Sequence, residues 1–149
     1  MLFPVPLLPL IPLLFPPLTG TITSPNIEPL STSKLYITAR PSQSSDIPKA
    51  VLEGSYGKPP PFVTFSVPTP TFPYSFNLGE ECLTPEGKLI PLSDGMRVTV
   101  SARYDVDGVA STRSPDDLVG RGEGVLGEEV GVVLKGRGVG GKWASGLKK

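Results

Sequence analysis

From Thr19 onward apolar and polar residues alternate with a period of two, and glycine, proline or aspartate breaks the alternation every eight to twelve residues. That spacing puts successive side chains on opposite faces of a strand and never builds the i, i+3, i+4 stripe of an amphipathic helix. The clearest run is MRVTVSARY, with Met96, Val98, Val100 and Ala102 on one face and Arg97, Thr99, Ser101 and Arg103 on the other. KLYITAR, 34–40, repeats it with Leu35, Ile37 and Ala39 inward. GTIT (20–23), KAVLEGSYG (49–57), PPPFVTFSVP (59–68), FPYSFNL (72–78) and EVGVVLKGR (129–137) are further strands on the same reading. Asp107-Gly108 is the residue pair that a tight hairpin needs, because glycine accepts positive φ and aspartate tolerates it. GVASTRS, 108–114, is therefore expected to return beside the strand before it.

Seven to eight short strands of this kind predict an all-β domain, an immunoglobulin-like antiparallel sandwich over residues 20–138. At 149 residues the chain has room for one ordinary core. Its 19 prolines and 17 glycines argue for loose segments outside that core. Residues 1–19 open with MLFPVPLLPLIPLLFPPL, apolar but with prolines at 4, 6, 9, 12, 16 and 17. Each proline inside a helix costs about 3 kcal/mol, so this stretch reads as a leader or an apolar tail and not as a membrane span. GVGGKWASGLKK ends the chain, and residues 139–149 are expected to be a flexible tail.

Several function classes lose their chemistry. Lysine plus arginine equals aspartate plus glutamate at 14 each, which is not the basic footprint of a nucleic-acid binder. The chain has no histidine, so Ser-His and Cys-His nucleophile pairs and imidazole metal ligands are absent. Cys82 is the single cysteine and follows Glu80 and Glu81, whose charge disfavours a reactive thiolate. GRGVGGK, 136–142, has P-loop spacing, but Trp143 stands where a hydroxyl must meet magnesium and too little chain follows for the phosphate-binding helix. Gly122–Gly127 and Gly136–Gly141 match G-x-G-x-x-G without a βαβ setting, as a glycine-rich chain does by chance. DVDG at 105–108 has the start of a calcium loop but lacks its closing glutamate, and turn formation explains it better. No enzyme, cofactor or metal site is expected.

The charged residues around the second hairpin are the candidate interaction surface: Arg40, Arg103, Asp105, Arg113, Asp116 and Asp117. On exposed strand faces their ion pairs are worth only about 0–1 kcal/mol each. An alternative is a ligand-binding module for a glycan or peptide, with Tyr36, Tyr56 and Tyr104 exposed beside the arginines.

GTIT, LYITAR, IPKAVL, FPYSFNL, VTVSARYDVDGVASTRSPDDLVG and VGVVLKG, in that order from Gly20 to Gly136, resemble the C-terminal extracytoplasmic domain of CycH-type cytochrome c biogenesis proteins. The hairpin ending in SPDDLVG carries most of the likeness. Asp116 stands where that family has glycine, and the segment from Gly79 to Gly95 is longer. The resemblance implies an immunoglobulin-like domain that is not itself an enzyme, on the periplasmic or lumenal side of a membrane. Its implied partners are apocytochrome and components of the haem-ligation machinery.

Overall fold

A computed structural model describes residues 16–25, 30–109 and 117–137. Eight strands lie among them: β1 (Leu18–Thr23), β2 (Lys34–Pro41), β3 (Val63–Pro68), β4 (Tyr74–Leu78), β5 (Arg97–Asp105), β6 (Leu118–Val125), β7 (Val130–Val133) and the short β8 (Gly136–Arg137). They form a three-stranded sheet in the order β4-β1-β7 and a five-stranded sheet in the order β3-β2-β5-β6-β8. The chain is an all-β sandwich. Its β3-β2-β5-β6 pairing follows the C′-C-F-G order of an immunoglobulin sheet, and β1 with β4 forms the equivalent of the B–E pair. β7 takes the place beside β1 and runs parallel to it, pairing Gly20 with Val130, so the sandwich is not wholly antiparallel.

Alternation decides which face is buried. Leu35, Ile37 and Ala39 of β2 and Val98, Val100 and Ala102 of β5 are all buried, as the period of two predicts. They meet Leu18 and Ile22 of β1, Phe76 and Leu78 of β4, and Val130 and Val132 of β7 in one core. At about 25 cal/mol per Å² of apolar surface, this burial is the main favourable contribution to the fold. Phe62, just before β3, is the largest fully buried side chain in it.

Three expectations need correction. KAVLEGSYG is not a strand: Lys49–Gly54 form a short helix, α1. Lysine, alanine, leucine and glutamate are good helix formers, and the adjacent Val51 and Leu52 both pack on the core, which strand alternation does not allow. Pro48 at the N-cap lacks no needed donor, its carbonyl accepts from the Leu52 N–H at 3.0 Å, and the Gly57 N–H closes the end on Leu52 O at 2.8 Å. Second, β5 pairs with β6, not with GVASTRS, of which residues 110–114 lie outside the described residues. The turn at Asp107-Gly108 does form, with Gly108 at φ 72° and the Val109 N–H donating to Asp107 Oδ1 at 2.9 Å. It opens a longer connection instead of a two-residue hairpin.

The third correction concerns the glycines of β6. Gly120, Gly122 and Gly124 share the inward face of that strand, and β7 lies directly on them. A Cβ on Gly120 would sit 2.2 Å from Val133 O, and one on Gly122 would sit 2.1 Å from Gly131 O. The match at Gly122–Gly127 is thus no accident of composition: the period-two glycines let two sheets meet backbone to backbone. The first strand begins at Leu18, two residues before the expected edge of the domain. The leader, residues 1–15, the tail after Arg137 and most of the P-loop-like stretch lie outside the described residues.

Candidate functional site

The outer face of the larger sheet carries two features that the fold constructs. The first is a shallow trough of about 650 Å³ along β2 and β3, bordered by Tyr36, Thr38, Thr64 and Ser66 and walled by Glu81 and Cys82. β3 is an edge strand: β2 pairs with it from Lys34↔Pro68 to Ala39↔Val63, and on its other side only an isolated bridge joins Val63 to Leu83. From Thr64 to Val67 the outer backbone therefore meets no strand among the described residues.

The segment after β4 secures the start of that edge. Thr84 donates through its hydroxyl to Pro61 O at 2.6 Å and accepts from the Gly87 N–H at 2.9 Å, while its own N–H bonds Phe62 O at 2.9 Å. Gly87 fits because the backbone of Phe62 lies against it, 2.2 Å from where a Cβ would stand. Prolines limit the other end, at Pro68, Pro70 and Pro73, as they do ahead of it at 59–61. Proline cannot donate to a ladder and is confined to sheet margins, so this punctuation marks β3 as an edge. The Cys82 thiol, half-buried in the wall, is pushed up from its ordinary value by burial and then by Glu81, which leaves it a poor nucleophile.

The second feature is the end of the β5–β6 hairpin. Arg103 is not a solvent-facing residue: its side chain is 14% exposed, with Nε 3.1 Å from Asp105 Oδ2 and a terminal nitrogen bonded to Asp117 Oδ2. Asp105 and Asp117 are both buried. Asp117 Oδ1 accepts from the Val106 N–H at 2.9 Å, so one carboxylate ties the end of β5 to the start of β6. Burial pushes the Asp105 carboxyl up from its ordinary range; Asp107 and Asp117 push the same way, and only Arg103 opposes them.

Of the six candidate residues, the structure gathers Arg103, Asp105 and Asp117 into this cluster. Arg40 stands apart on β2, exposed and opposite Thr99. Arg113 and Asp116 lie outside the described residues. The three tyrosines do not form one exposed patch. Tyr104 is 3% exposed, with its ring edge on Phe72 and its hydroxyl accepting from Leu30 N–H; Tyr36 donates to Gly108 O at 2.7 Å; Tyr56 is exposed. Among the described residues no group of three or more acidic, cysteine or histidine side chains is arranged to hold a metal ion, and no helix is long and apolar enough to cross a membrane. The trough was missed in sequence because its residues are ordinary threonines and serines. The available signal was the proline clusters on both sides of FVTFSV.

A scan against protein-family models finds no match, and searches of curated proteins and of solved structures find no significant similarity.

Proposed function

We propose that this chain is a non-catalytic interaction module that receives an extended protein segment along β3. The observation that carries the reading is the outer edge of β3, which no strand among the described residues pairs from Thr64 to Val67 and which runs beside the trough. A free strand edge is a template for another strand: backbone hydrogen bonds supply affinity, and side chains on alternate positions supply selectivity. Thr64 and Ser66 are exposed and Phe65 and Val67 half-buried, so a docked strand meets hydroxyls on one side and an apolar margin on the other. The sequence resemblance to the CycH-type domain supports an assembly role on the extracytoplasmic or lumenal side of a membrane, with apocytochrome c as the segment received.

The test is binding of unfolded apocytochrome c, followed by fluorescence anisotropy, to the wild type and to a Thr64→Lys, Ser66→Lys double variant. Saturable binding by the wild type, weakened at least about tenfold in the variant, is expected. Wild-type chain that ignores apocytochrome c defeats the cytochrome assignment, and binding indifferent to the lysines defeats the β3 edge.

A further inference from the structure

The cluster at the end of the β5–β6 hairpin brings two buried carboxylates onto one side chain, Arg103. Asp105 and Asp117 continue the register beyond Tyr104↔Leu118 and share one guanidinium. Asp105 is fully buried, yet its Oδ1 has no hydrogen-bond partner. A buried acceptor left unpaired loses its hydration with no bond in return, and the cost is greater when the group is charged.

Each neighbouring element adds a charge to the account. β5 supplies Arg103 on the same face, the entry to β6 supplies Asp117, and the turn supplies Asp107, whose Oδ1 is engaged by the Val109 N–H. β2 supplies Lys34, directly across the ladder from Asp105 but making no ion pair with it. Lys34 instead passes the turn, where its Cγ lies 3.8 Å from the place a Cβ on Gly108 would take. Among the described residues, then, Asp105 has the Arg103 guanidinium on Oδ2 and no contact from the Lys34 ammonium. Tyr36, the cross-strand neighbour of Arg103, adds no charge and spends its hydroxyl on Gly108 O.

We infer that the Arg103–Asp105–Asp117 cluster is a proton-operated clasp, completed when Asp105 takes up a proton on Oδ1. The proton comes from solvent and turns the unpaired acceptor into an O–H donor facing the Asp107 carboxylate. Arg103 is then left with a single ionised partner, Asp117, which keeps its bond to the Val106 N–H. Acidification tightens the end of the hairpin, and loss of the proton loosens it.

The sign follows from linkage. A carboxyl that holds its proton more firmly folded than unfolded adds stability below its unfolded value, near pH 4, and loses that contribution as pH rises through its folded value. This is opposite to an ordinary salt-bridged aspartate, whose contribution is lost on acidification.

Asp105→Asn tests it. The amide supplies a permanent donor in place of the proton, while its oxygen still accepts from Arg103 Nε. Chemical unfolding of the whole chain from pH 4 to 8 is compared for the two proteins. The ratio of the wild-type to the variant unfolding constant should climb about tenfold per pH unit across the titration of Asp105 and then level, with the asparagine protein harder to unfold at pH 8. A ratio that does not change with pH, or an asparagine protein easier to unfold at pH 8, overturns the clasp. The carboxyl carbon shift of Asp105 in the wild type is a second measurement that needs no variant. A midpoint above that of free aspartate supports the clasp, and one at or below it refutes it.

Discussion

The two margins of the sandwich solve the same problem in opposite ways. On one side β6 and β7 approach until backbone lies on backbone, with Gly120 and Gly122 leaving no room for a side chain between them. On the other, β3 and β4 are the outermost strands of their sheets, share no ladder and are bracketed by prolines. Glycine closes a margin by letting another strand come near, and proline keeps one open by refusing hydrogen bonds. A closed margin contributes stability through buried contact. An open one leaves backbone donors and acceptors available to a partner.

The largest effect is expected at the closed side. Gly122→Val places carbon where Gly131 O and Val132 Cγ2 already stand, 2.1 and 3.1 Å from the new Cβ. β7 must move away, and thermal or denaturant unfolding should report a loss of about 3 kcal/mol or more. Gly131→Ala, on the facing strand, meets nothing within 4 Å and should change stability by less than about 1 kcal/mol. Equal losses from the two substitutions mean that space is not what selects glycine in β6.

A smaller effect is expected where the open side is anchored. Thr84→Val keeps the shape but removes the hydroxyl that serves Pro61 O and the Gly87 N–H. The loss should be about 1–3 kcal/mol by denaturant unfolding, since both backbone groups then lack a partner. Smallest of all is the Thr64→Lys, Ser66→Lys pair, whose positions are exposed: stability should stay within about 0.5 kcal/mol per site while binding along β3 is lost. A large loss of stability there means that β3 is less free than its ladder implies.

How much was legible in sequence depended on whether side chains carried the information. β2 and β5 were read correctly in facing and to within one residue at their ends, because alternation of Leu, Ile, Val and Ala against polar residues is dictated by burial on one side only. β6 was not anticipated as a strand, since GRGEG offers no apolar face and glycine is depleted in strands. Its reason lies in β7, ten residues on, and nothing local to Gly120–Gly124 announces it. α1 was misread because Val51 and Leu52 are β-branched or apolar enough to suit either state in so short a run. Arg103 sat on the predicted outward face, and it does occupy that face; what alternation could not say is that Asp105 and Asp117 hold its side chain there, 14% exposed. The cluster was therefore half visible, its residues named and its burial unseen.

The parallel pairing of β1 with β7 also has a temporal meaning. β1 is the central strand of the smaller sheet, and both of its neighbours, β4 and β7, are made after it. During synthesis β1, the first of the described strands, must wait for residues 130–133 before its second side is covered. Those same residues cap the glycines of β6. One short strand near the end of the described chain thus completes the smaller sheet and covers the glycines of the larger one, and a nascent chain halted before it would present an uncovered β1 and a bare glycine face together.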